Sequence, residues 1–141
     1  MKIMTLTKFS IASIALFGLA LAAATLSANA GELPPASNRK AVTYANTAKH
    51  IFDHSCVKCH SGNKPKAHLK LDSLESALKG GMDGKVIIPG DSAKSMMIQA
   101  VAHATKDDHL WMPPPHNPAA IQPLTPEQIG LLRAWIDQGA K

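Results

Sequence analysis

The spacing of apolar and polar positions divides this chain into stretches of different character. Phe9 through Leu26 is mostly apolar, follows the basic Lys2 and Lys8, and runs into Ala28-Asn29-Ala30, small residues of the kind a signal peptidase accepts. The pattern predicts a signal peptide over residues 1–30. Its alternative is an uncleaved leader that associates with a membrane, because the block approaches the roughly 20 apolar residues needed to cross a bilayer. No second long apolar run follows.

Residues 31–40, with Pro34-Pro35, read as an extended lead-in, and residues 41–141 as one domain. From Ala41 to Ser55, Ala41, Ala45, Ala48 and Ile51-Phe52 recur near helical spacing and predict a first helix. Ser61 through Ala67 is polar, contains Gly62 and Pro65, and reads as a loop, after which Leu69 and Leu71 can pack inward. Asp72 is the expected cap of a short helix with Glu75 in its first turn and Leu74 and Leu78 on its apolar stripe. Gly80-Gly81 should stop it, and Met82-Asp83-Gly84 continues the turn.

Val86-Ile87-Ile88 predicts a short buried segment, ended by Pro89-Gly90. Asp91 then predicts a helix running to about Ala104, with Met96, Met97, Ala100, Val101 and Ala104 on a broad apolar face. Periodicity disappears from Thr105 to Pro123, where Pro113-Pro114-Pro115 favour an extended, stiffened loop. The last element carries the fullest set of signals. Thr125 is an N-cap, Pro126 a first-turn proline, Gln128 a capping-box partner and Gly139 a stop, with Leu124 stapling to Ile129. Ile129, Leu132 and Ile136 form its stripe, assisted by Leu131 and Trp135.

Charge adds one correction. The full chain carries +5, but losing Lys2 and Lys8 with the leader leaves 13 basic and 10 acidic residues, a net charge of +3. The basic residues are scattered and not interleaved with aromatics, which argues against nucleic-acid binding.

The chemistry concentrates in Cys56-Val57-Lys58-Cys59-His60. Two thiols three residues apart with an adjacent imidazole are the arrangement that attaches and ligates a c-type haem: thioethers at Cys56 and Cys59, iron bound by His60. A disulfide would account for the two cysteines of an exported protein but not for the histidine beside them. For the opposite iron face the thioether candidates are Met82, Met96, Met97 and Met112. Met112 is favoured because a proline-stiffened loop far downstream of His60 can aim one side chain at a fixed point. Met96 and Met97 read more simply as core, and Met82 sits in a turn. Imidazoles at His54, His68, His103, His109 and His116 leave a bis-histidine site open, although the spacing of the last three matches no recognised zinc motif.

Across nearly all of residues 31–141 the sequence resembles the planctomycete-type cytochrome c domain. The resemblance runs in order through the C-x-x-C-H motif, Leu69-Lys70-Leu71-Asp72-Ser73, Gly80-Gly81, Ile88-Pro89-Gly90-Asp91 and Lys94-Ser95. It continues through Met112-Pro113-Pro114, Leu124-Thr125-Pro126-Glu127-Gln128-Ile129 and Ala134-Trp135-Ile136-Asp137-Gln138-Gly139-Ala140. It implies an all-α, class I cytochrome c-like fold with first and last helices packed near one covalently bound haem c. It also implies proximal ligation by His60 and distal ligation by Met112.

Three functional readings follow. The first is a non-enzymatic electron carrier, monomeric and periplasmic or otherwise extracytoplasmic, exchanging electrons with a redox protein donor and acceptor. The second, a small-ligand sensor or peroxidase-like haem enzyme, requires an open distal position, and the sequence holds no compact catalytic constellation. The third is a redox-linked interaction module steered by its lysines.

Overall fold

Trp135, wholly enclosed, is the point at which the two ends of the fold meet. Its ring packs edge-on against Phe52 at 5.9 Å and beside Tyr44 at 6.2 Å, and Tyr44 and Phe52 lie 6.1 Å apart. Such tilted contacts suit rings whose edges are positive and faces negative. The computed structural model describes residues 32–141, so the signal-peptide reading of 1–30 lies outside the described residues. Among the described residues every regular element is helical, with a single isolated bridge between Gly81 and Gly84. None of these helices is long and apolar enough to cross a membrane.

The first helix begins later than the apolar spacing suggests. Ala41 has a left-handed backbone (φ 54°), and a π-helical turn Tyr44–Ala48 precedes α1, Lys49–Ser55. Thr43 and Asn46 cap that turn reciprocally, each side chain accepting from the other's backbone N–H. This polar pair sets the start, because it satisfies donors that Ala41 could not.

Helix α2, Leu74–Lys79, is capped by Ser73 rather than Asp72: the Ser73 hydroxyl accepts from the Ser76 N–H at 3.2 Å. The shift of one residue puts Ala77 in the core and leaves Leu74 and Leu78 half-buried against it. Gly80 ends the helix at φ 87°, where a side-chain Cβ would stand 2.2 Å from the Gly84 carbonyl oxygen. Of Val86-Ile87-Ile88 only Ile87 is fully buried, while Ile88 is 42% exposed.

Helix α3, Met96–Val101, is shorter than predicted at both ends. Asp91 caps a preliminary turn, accepting from the Lys94 N–H at 3.0 Å, and the helix proper starts after Ser95. Its inner face carries Met97, Ile98 and Ala100, whereas Met96 is 43% exposed and does not belong to it. The expected cap, staple and stop of the last helix, α4 (Pro126–Asp137), are all present: Thr125 and Gln128 form the reciprocal box, Leu124 and Ile129 are buried in one cluster, and Gly139 has φ 98°.

The lead-in lies across α4. The Ser37 N–H donates to the Gly130 carbonyl at 2.9 Å, and a Cβ on Gly130 would meet the Pro35 carbonyl oxygen at 2.7 Å. The Arg133 guanidinium donates to the Pro34 carbonyl and, at 3.1 Å, to the Ser92 hydroxyl, which in turn donates to the Asp137 carboxylate at 3.0 Å. These bonds join the lead-in, the turn before α3 and α4.

Candidate functional site

The Cys56–His60 segment continues from α1 as a tightened turn. The Phe52 carbonyl accepts from the N–H groups of both Cys56 (2.8 Å) and Val57 (3.0 Å), and the Cys56 carbonyl accepts from Cys59 (3.1 Å) and His60 (2.9 Å). The aromatic core therefore positions this turn through a single residue, since Phe52 contributes its ring to one and its carbonyl to the other. Both cysteines are free; Cys59 is exposed and Cys56 half-buried. Loss of water around Cys56, and secondarily the nearby Cys59, pushes its thiol up to about 12.

His60 is also half-buried, and its Nδ1 is enclosed with no hydrogen-bond partner. Desolvation lowers its pKa below the ordinary imidazole value, against a smaller opposing pull from the Leu69 and Lys66 carbonyls. The ring is thus held neutral, the form that can offer a lone pair to a metal.

A loop from Ser61 to Leu71 folds back onto this turn. Lys66 N–H donates to the Cys59 carbonyl at 3.0 Å, Leu71 N–H to the His60 carbonyl at 2.8 Å, and Ser61 Oγ to the Val57 carbonyl at 2.6 Å. The loop is held from behind by Met82, whose N–H donates to the Ala67 carbonyl at 2.8 Å. That approach needs Gly81, because a Cβ there would lie 2.6 Å from the same carbonyl oxygen. The Gly80-Gly81 pair does more than stop α2: its second member admits the loop that backs His60.

Met112 is half-buried, and its N–H donates to the Ala100 carbonyl near the end of α3 at 3.0 Å. Just before it, the Trp111 indole stacks on His103 with centroids 4.7 Å apart and planes 3° from parallel, and its N–H donates to the Thr105 carbonyl at 3.3 Å. His103 Nε2 is enclosed and has no hydrogen-bond partner. Asn117 orders the following stretch, accepting from the Ile121 N–H at 2.7 Å. Lys58, from within the Cys56–His60 turn, donates to the Ala119 carbonyl at 3.4 Å, a direct bond between that turn and the Met112 loop.

The competing candidates are dispersed. Met82 is 67% exposed, and Met97 is 7% exposed within the core. His54 Nδ1 is engaged by the His50 carbonyl at 2.7 Å. His109 groups with Asp107 and Asp108 at the surface, and His103 and His116 stand outside that group. Sequence spacing could not reveal the Lys58–Ala119 bond or the His103–Trp111 stack; only their types, a lysine inside the motif and an aromatic beside Met112, were visible.

The donor set around the turn fits a covalently tethered haem. Two unpaired thiols stand one helical turn apart, and beside them is a neutral imidazole with an unclaimed, enclosed nitrogen. A structural zinc site would ask for four converging ligands, which the described residues do not bring together here. Residues 56–116 match the family model described as Planctomycete cytochrome C. The match begins at the first thiol and ends just beyond the triple proline. No curated protein and no solved structure matches the chain.

Proposed function

We propose that the planctomycete cytochrome C domain carried by this chain is an extracytoplasmic electron carrier, with one haem c tethered through Cys56 and Cys59 and ligated by His60 and Met112. Family membership supports haem-mediated electron transfer in general; the ligand pair is the further step. When bound, the haem supplies a reversible one-electron change between ferrous and ferric iron. The chain's own residues do the rest.

His60 supplies a neutral ring. Desolvation favours that form, and its enclosed, partnerless nitrogen would keep a lone pair for iron. Cys56 and Cys59 fix the porphyrin to the end of α1, so the position of the group follows the aromatic core. Met112 would supply a thioether as a further iron ligand, and an iron held by both residues would suit electron exchange more than oxygen binding. We place the protein outside the cytoplasm because the Lys2–Ala30 segment reads as an export signal. A redox protein donor and acceptor, and a monomeric carrier between them, complete the proposal.

The observation that carries the reading is the free thiol pair beside an enclosed, partnerless His60 nitrogen. The test is expression in a cell that matures c-type haem, followed by intact mass and denaturing separation. The expected result is one haem mass that survives denaturation, with Met112→Ala abolishing the methionine-to-ferric charge-transfer band and Met96→Ala leaving it intact. Haem released by denaturation, or no haem in a strain that matures a control cytochrome, overturns the proposal.

A further inference from the structure

We propose that His103 and Trp111 act as a clamp that positions Met112 on the iron, so that their stack sets how readily the methionine ligand is displaced. This rests on Met112 being the distal ligand. Three contacts converge on the backbone that presents Met112: its own N–H bonds to the Ala100 carbonyl at 3.0 Å, the Trp111 indole N–H bonds to the Thr105 carbonyl at 3.3 Å, and the Trp111 ring lies flat on His103 at 4.7 Å. Ala100 and His103 both sit at the end of α3, so the stack and the Met112 bond tie the loop to one rigid support.

His103 sits there at some cost. Its backbone is left-handed (φ 53°), a conformation uncommon for residues other than glycine, and its Nε2 is enclosed without a partner. The left-handed backbone serves the end of α3, where the His103 N–H donates to the Ala100 carbonyl at 3.2 Å and the Ala104 N–H to the Gln99 carbonyl at 2.9 Å. The enclosed, partnerless ring nitrogen is what the helix end does not call for, and it follows if the ring must lie under Trp111. After Met112 the loop is held by three prolines and the Asn117 turn; before it, a short turn Asp108–Leu110 is capped by Asp107 and closed by the Trp111 backbone N–H donating to the Asp108 carbonyl at 3.0 Å. Those bonds are internal to the loop, and the stack is the side-chain contact that fastens this turn to the end of α3. Met–iron bonds are weak enough that preorganisation of the loop decides whether an outside ligand can displace the thioether.

The test uses haem-loaded ferric protein and added imidazole as the competing ligand, with the charge-transfer band of the methionine–iron bond and the reduction potential as readouts. His103→Leu removes the planar face, and His103→Phe keeps a face while removing the ring nitrogens. The expected result is imidazole affinity raised about 2- to 12-fold in His103→Leu, the value of one lost aromatic pair, with the potential lowered and His103→Phe close to wild type. Trp111→Leu, which removes the other half of the stack, should behave as His103→Leu and stands in for it should that variant not fold.

Unchanged imidazole affinity and potential in the leucine variants overturns the clamp, and so does a His103→Phe variant as weakened as His103→Leu. Met112→Ala separates this from the underlying reading. A methionine band that survives Met112→Ala overturns the ligand assignment and the clamp together, whereas its loss there, with wild-type behaviour in both leucine variants, overturns the clamp alone.

Discussion

Replacing Trp135 by alanine should remove a large part of the stability of this domain. The indole is fully enclosed, packs edge-on against Phe52 and at a tilt beside Tyr44, and donates its N–H to the Lys141 carbonyl at 3.1 Å. Truncating a buried tryptophan costs about 3–5 kcal/mol in lost transfer energy and residual cavity. The cavity would open beside the Phe52 and Tyr44 rings, which the indole now holds at 5.9 and 6.2 Å. Domains of this size hold about 5–15 kcal/mol in total, so the variant should lose roughly 12–20 °C in Tm, at about 4 °C per kcal/mol. Urea unfolding of haem-loaded protein, followed by far-ultraviolet circular dichroism, measures the loss through the shift in midpoint at constant slope. Trp135→Phe, which keeps one ring among the three, should recover about half of it. A loss below about 1.5 kcal/mol at unchanged slope would refute the assignment of Trp135 as the hub of the core.

Three other outcomes are expected. Thr125→Ala removes the cap that accepts from the Gln128 N–H at 3.2 Å and should cost about 1 kcal/mol in the same urea assay, whereas Thr125→Ser should cost little. Gly130→Ala forces a Cβ against the Pro35 carbonyl, at 2.7 Å before relaxation; since that atom is backbone, the lead-in must shift, and the Ser37 amide, now bonded to Gly130, should exchange its hydrogen faster by at least about tenfold. In cofactor-free protein the Cys56 thiol, pushed up to about 12, keeps its proton above the ~8.5 at which an unfolded cysteine loses it. The folded state therefore binds more protons over that window: stability is whole below about pH 8.5 and declines as pH rises toward about 12. Cys56→Ala should flatten the decline between pH 8.5 and 11, and equal slopes in both proteins would contradict the buried thiol.

The parts of the fold that could be read from the sequence are those fixed by local chemistry. Thr125-Pro126-Glu127-Gln128 specifies its own helix start whatever surrounds it, and it is found where expected. Where two neighbours could do the same job, only packing decides. Asp72 and Ser73 are both competent caps, and Ser73 is used because that register buries Ala77. The run Met96-Met97-Ile98 has no period to say which member faces out, and the exposed one is Met96. In the candidate site, Cys56, Cys59 and His60 are legible because one turn of chain holds them. The contacts around Met112 are long-range: Ala100 to Met112 and Lys58 to Ala119 join residues with no shared periodicity, so spacing carries no trace of them. The His103–Trp111 stack is hidden for the same reason, with Ala104 through Leu110 intervening.

The carbonyl of Lys141 accepts from both the Tyr44 N–H, at 2.6 Å, and the Trp135 indole. Residue 141 is thus a fastening for the aromatic core. Moving that oxygen unhooks two of the rings that pack on Phe52, whose carbonyl holds the thiol-bearing turn, so a change at Lys141 would be felt at Cys56 and Val57 from the far side of the core.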